Sequence, residues 1–212
     1  IDINDAATLE LNNSTIPTFG SIAADATVIF KTDATNIPYH SYGNLVIDGI
    51  QPVFNGNGTV TIQGNTTLLN TVQMPDARGA AEYNLLFNGA SNQTITTNGN
   101  VLRSYNFEVN KSSGAFDMAA NSIVSSDNQL ILFLNQTATF ADNGTTIYAG
   151  NSVNIGGEGT AYDFTGTVIL ADEIANIVLG AGNGNNFNLR ATPNSNTNIV
   201  AAVNNLTIQA VN

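Results

Sequence analysis

Tyr83-Asn84-Leu85-Leu86-Phe87-Asn88 is followed 22 residues later by Tyr105-Asn106-Phe107-Glu108-Val109-Asn110. The two hexapeptides share Tyr-Asn at the start, Asn at the end, and apolar side chains at the third and fifth positions. Repetition at a short fixed period marks supersecondary units that stack on one another. Alternation of apolar and other residues is the period of a half-buried strand. It predicts Leu85, Phe87, Phe107 and Val109 inward, with Leu86 and Glu108 outward.

The same alternation extends in both directions from the echo. It runs through Leu9/Leu11, Val28/Phe30, Leu45/Ile47 and Val60/Ile62 before it. After it come Phe116/Met118, Leu130/Leu132/Leu134, Val153/Ile155, Val168/Leu170, Ile177/Leu179, Phe187/Leu189 and Leu206/Ile208. No stretch carries sustained i, i+3, i+4 apolar spacing, so the reading is all-β. Between the strands stand Asp48-Gly49, Asn55-Gly56, Asn57-Gly58, Asn88-Gly89, Asn98-Gly99, Asn143-Gly144 and Asn183-Gly184. Asn and Gly tolerate the left-handed backbone that a tight corner needs. Two-residue antiparallel hairpins use the same dipeptides, so the longer period must decide.

Marking one strand class gives Leu45, Thr67, Leu85, Phe107, Ile131, Val153, Ile177 and Ile199, with steps of 22, 18, 22, 24, 22, 24 and 22 residues. A stacked coil enforces such a period, whereas the loops of a sandwich vary independently. The fold predicted is a parallel β-solenoid, or β-helix, with coils of about 22–24 residues. The alternative is an antiparallel β-sandwich of a filament subunit. At about 4.8 Å per coil, roughly nine coils would make a rod about 40 to 45 Å long. Residues 1–41 read as an N-terminal cap or first irregular coils, and 42–212 as the repeat region, continuing beyond the C-terminus. Residues 31–43 and 74–82 lack alternation and carry Pro, which predicts loops projecting from the rod.

Composition narrows the function classes. Charged residues are only 10% of 212, and the net charge is -11. Lys31, Arg78, Arg103, Lys111 and Arg190 are the only basic side chains other than His40, too few for a phosphate-neutralising surface, which argues against nucleic acid. No apolar run approaches the roughly 20 residues that span a bilayer. With no cysteine there is no disulfide and no thiolate ligand or nucleophile. Residues 1–11 lack the basic and apolar regions of a signal peptide, so an exported chain would have lost one or been cut from something longer.

Tyr42-Gly43-Asn44-Leu45-Val46-Ile47-Asp48-Gly49 leads to Thr59-Val60-Thr61-Ile62-Gln63-Gly64-Asn65. Tyr83-Asn84-Leu85-Leu86-Phe87-Asn88-Gly89 leads to Thr94-Ile95-Thr96-Thr97-Asn98-Gly99-Asn100-Val101, and Asn205-Leu206-Thr207-Ile208 is a degenerate form. This pattern resembles the repeats of Bacteroidota cell-surface and gliding adhesins, which are commonly exported by the type IX route. The likeness is clearest from about residue 42 to 110, and residues before 42 depart from it. It implies a parallel β-solenoid stalk or adhesin segment outside a bacterium.

Candidate chemistry is sparse. His40 is the single histidine, beside Ser41 and downstream of Asp33, but neighbours in sequence rarely face one another as a triad requires. Asp117, Asp142 and Asp163 recur at nearly one-coil intervals and are the carboxylates a glycan-cleaving β-helix would use. Given their differing offsets from Phe116, Phe140 and Phe164 they need not share a face, and the reading preferred is solvated turn carboxylates. Asp142-Asn143-Gly144, Glu158 with Asp163, and Asp172-Glu173 offer oxygens for a structural calcium ion without the density of a calcium loop. The Thr-x-Thr pairs Thr59/Thr61, Thr94/Thr96, Thr137/Thr139 and Thr165/Thr167 are too unevenly spaced for an ice-binding ladder and fit β-propensity.

The expectation is a non-enzymatic extracellular stalk, fibre or adhesin module with no catalytic, cofactor-binding or metal-binding residue singled out. Its partners would be neighbouring modules or copies of itself end to end, and surface glycans. A carbohydrate-active enzyme, a carbohydrate-binding module and a self-assembling filament subunit are the alternatives.

Overall fold

The computed structural model describes residues 1–150 apart from 14, 34, 35, 55, 70, 75–81 and 136, and beyond 150 the strands named below. Of the side chains after 155, only Val168 is described. In chain order the strands are β1 (Thr8–Leu11), β2 (Thr27–Phe30), β3 (Ser41–Tyr42), β4 (Asn44–Ile47), β5 (Gly58–Ile62), β6 (Thr66–Leu68), β7 (Tyr83–Phe87), β8 (Gln93–Thr96), β9 (Val101–Lys111) and β10 (Ala115–Met118). They continue as β11 (Ile123–Leu134), β12 (Thr139–Ala141), β13 (Thr146–Ala149), β14 (Ser152–Gly156), β15 (Ala161–Asp163), β16 (Thr167–Leu170), β17 (Asn176–Leu179), β18 (Asn186–Ala191), β19 (Asn198–Ala201) and β20 (Asn205–Ala210). Among the described residues there is no helix.

The pairings between these strands are parallel, which establishes the β-solenoid and removes the antiparallel sandwich. One face is an eight-stranded sheet in the order β1-β2-β4-β6-β8-β10-β12-β15. The remaining strands make two further faces, joined because β9 and β11 run round the corner between them. Residues 101–104 pair with 123–126 on the second face, and 106–111 pair with 129–134 on the third. β1 and β2 already lie in the same ladder as β4, and Ile3 bridges Ile22 in parallel ahead of them.

The echo that opened the sequence sits on the third face. Val60, Leu85, Phe107, Leu130, Val153, Ile177 and Ile199 are successive register partners. Three positions differ from the expected column. Leu45 and Thr67 belong to the first face, on β4 and β6. Leu130 replaces Ile131, because an irregularity between Ser126 and Gln129 inserts a residue and a one-residue slip exchanges the faces of a strand. Leu85, Phe87, Phe107 and Val109 are buried, and Leu86 and Glu108 are partly exposed on the outside.

Columns of like side chains fill the interior. Phe87 stands 5.2 Å from Phe107 and 5.1 Å from Phe116, and Phe116 stacks on Phe140 at 5.8 Å between centroids. Burying each such side chain stabilises the fold by about 1.5 to 3 kcal/mol.

Asparagine explains how corners hold without hairpins. Asn98, Asn121 and Asn143 take positive φ values of 52°, 62° and 49° where the first face turns into the second. Asn98 Nδ2 donates to Leu68 O and Asn143 Nδ2 to Met118 O, both at 2.8 Å and both one coil back. At the corner from the third face to the first, Asn44 Oδ1 accepts from Asn65 N–H and Asn65 Oδ1 from Thr94 N–H. Such bonds satisfy backbone groups that a bend would otherwise strand. Close stacking also demands glycine at Gly89, where a Cβ would collide with the Gln63 carbonyl.

Residues 31–43 do not project as expected. Ile37 N–H donates to Val53 O at 2.8 Å, Asn36 bridges Val53, and Ile37 and Tyr42 are fully buried. The Tyr42 hydroxyl reaches Pro38 O at 2.8 Å, so this stretch is a short coil whose proline lies in the turn. In 74–82, the expected loop falls at 75–81, outside the described residues.

Candidate functional site

The part of the second face built by β9, β11 and β13 was the least legible stretch of the sequence. Its inward residues are Leu102 and Ser104, Val124 and Ser126, Ile147 and Ala149. With a serine or alanine in each pair, apolar alternation is too weak to announce a strand at 101–104 or 123–126. The outward positions are mixed in size, with Arg103 and Tyr148 on either side of Ser125.

Those outward positions line a cleft of about 480 Å³. Arg103, Ser125 and Tyr148 are register partners and form one outward column. Val72, Met74 and Val101 supply an apolar side, and Met74 Sδ accepts from Arg103 N–H at 3.3 Å. Asp127 sits at the register irregularity, where a bulge re-aims a side chain. Its carboxylate is 3% exposed and lies 3.4 Å from Arg103 Nε. Gly150 at the rim is held against the Asp127 carbonyl, where a Cβ would not fit. The cleft thus presents donors, a carboxylate, an aromatic ring and an apolar side together. No sequence signal short of the register would have joined Arg103, Ser125 and Tyr148, which are 22 and 23 residues apart.

A second polar centre is internal. Lys111 is 1% exposed, and its Nζ donates to Gly89 O, to Ser91 O at 2.8 Å and to Gln93 Oε1 at 2.9 Å. Gln93 Nε2 in turn donates to Ile62 O and Gly64 O, both at 2.9 Å. One lysine and one glutamine therefore tie three coils together at a corner. Burial pushes the Lys111 ammonium down to about 8. Burial likewise pushes the Tyr42 phenol well up.

The residues weighed from sequence do not converge. The His40 ring packs edge-on against Phe19 at 5.7 Å and Tyr42 at 5.9 Å, and its Nδ1 lies 3.0 Å from Ser41 O. Asp33 Oδ1 accepts instead from Ile50 N–H at 2.7 Å, so Asp33, His40 and Ser41 make no triad. Asp117 and Asp163 share one column on the first face with Ala141 between them, a placement the sequence reading did not foresee. Asp142 is fully buried at the corner, where its Oδ1 accepts from Gly144 N–H at 3.1 Å. It is therefore not the solvated turn carboxylate expected. The side chains of Glu158, Asp163, Asp172 and Glu173 lie outside the described residues. Among the described residues, no three acidic or histidine side chains gather as a metal site would require. Thr59 and Thr61 lie on the third face, and Thr94, Thr96 and Thr139 on the first.

Fold and site together define a parallel β-solenoid with a polar cleft on one face. The chain matches no family model, no curated protein and no solved structure.

Proposed function

We propose that the chain is a non-enzymatic extracellular module, a rigid β-solenoid segment of a stalk, fibre or surface adhesin of the Bacteroidota type. The observation that carries this reading is the continuous parallel ladder from β1 to β15, backed by the apolar column Val60, Leu85, Phe107, Leu130 and Val153 and by corner asparagines. Stacked coils whose contacts are nearly all with their neighbours resist bending and present long faces for contact. Among the described residues the cations are paired or internal. Lys31 is paired with Glu10 at 2.8 Å, Arg103 with Asp127, and Lys111 is internal. Its partners on this reading are neighbouring modules or copies end to end, and glycans on opposing surfaces.

Location and role are tested on intact cells of the source organism. An antibody against the folded segment should label living cells, and external protease should remove the label. Labelling only after cell lysis would overturn the reading.

A further inference from the structure

We propose that the cleft beside Arg103, Ser125 and Tyr148 is a carbohydrate-binding site for a neutral saccharide with adjacent ring hydroxyls. The proposal deepens the adhesive part of the reading above by naming its ligand, and it leaves the stalk part untouched.

The shape of one outward column is the first argument. That column reads Arg103, Ser125 and Tyr148. A long cation and a ring flank a small hydroxyl residue, so the column has a notch at Ser125. Its walls stand two coil steps apart, about 9.6 Å between Cα atoms, which admits a sugar ring between them.

Chemical complementarity is the second. A pyranose has a flat C–H face and an equatorial rim of hydroxyls that both donate and accept. Tyr148 with Val72 and Met74 offers apolar surface to the first, and the Arg103 guanidinium, held by the buried Asp127 carboxylate, offers donors to the second. Asp127 sits 3.4 Å from the buried Arg103 Nε and holds at the cleft a guanidinium side chain that is 30% exposed. A cleft of about 480 Å³ falls within the usual range for small-ligand sites.

Charge selects the neutral class. Arg103 and Asp127 cancel, and a chain of net charge -11 repels uronates and sulfated sugars at long range. The site is also set before binding, because Gly150 and the bulge fix the Asp127 backbone and the strands fix the column.

The experiment titrates the folded chain by calorimetry with cellotetraose, mannotetraose, galactotetraose and chitotetraose, and with oligogalacturonate and a heparin tetrasaccharide as acidic counterparts. At least one neutral saccharide should bind saturably. Tyr148→Ala should weaken it roughly tenfold, the loss of one central ring contact, and Ser125→Tyr should abolish it by filling the notch. The outward Tyr148→Ala gives a binding-defective chain with unchanged melting should Ser125→Tyr fold poorly. Absence of saturable binding by any neutral saccharide, binding of the acidic ones alone, or affinity unchanged in Tyr148→Ala would overturn the site. Cell-surface labelling that persists alongside such a failure would leave the module reading standing.

Discussion

Asn106 Nδ2 donates to Asn84 Oδ1 across 2.7 Å, one coil back, and Asn106 Oδ1 accepts from Asn128 Nδ2 at 2.9 Å. Each amide acts as donor to one neighbour and acceptor from the other, so the second residue of each hexapeptide is a link in a chain parallel to the coil axis. Asn106→Ala breaks both links and should cost about 1 to 2 kcal/mol. In a chain of this length that lowers the melting temperature by about 3 to 6 °C. Asn110→Ala, whose amide reaches only the exposed Glu108, should leave melting unchanged. Equal melting of both variants would show that the ladder contributes nothing.

Lys111 makes stability depend on pH. Its folded pKa of about 8 lies below the ordinary 10.5, so above pH 8 the unfolded chain holds a proton that the folded chain has released. Stability should therefore rise with pH across the window from about 8 to 9.5, with a slope on the order of 1 kcal/mol per pH unit. Above about pH 10 the raised Tyr42 phenol acts oppositely, because the unfolded chain then loses that proton first. Denaturant melts at closely spaced pH values should show the climb in the parent chain and a flat profile in Lys111→Met.

Phe107→Asp places an unpaired charge between Phe87 and Leu130 in a filled column and should abolish folding. Phe107→Ala should cost about 3 to 5 kcal/mol. Glu108→Ala, on the adjacent outward position, should fall within about 0.5 kcal/mol of the parent. Circular dichroism melts separate the three, and a folded Phe107→Asp protein would show that the inward assignment is wrong.

The echo at Tyr83 and Tyr105 was enough to identify the solenoid, because Leu85, Phe87, Phe107 and Val109 carry large apolar groups at every inward position. Where the interior turns small and polar, as at Ser104 and Ser126, the strand left no periodic trace, and the cleft outside it went unseen. The register failed by one residue at Leu130, since a bulge changes the count without changing composition. Ile37 and Tyr42 were misplaced in a loop because proline and missing alternation also describe a short coil of few strand residues. The Lys111 centre was illegible for another reason. Its partners are mainly backbone carbonyls, and sequence does not say which carbonyls a corner turns inward.

The central claim is that the coils stack as one continuous rigid ladder, and a spin-label distance tests it most directly. Glu10 on β1 and Ala141 on β12 are six steps apart in the eight-stranded sheet. With no cysteine to interfere, Glu10→Cys and Ala141→Cys can be labelled as a pair. Six steps of about 4.8 Å predict a single narrow distribution centred near 30 Å. A broad distribution, or a centre displaced by about 10 Å or more, would contradict the stacked solenoid.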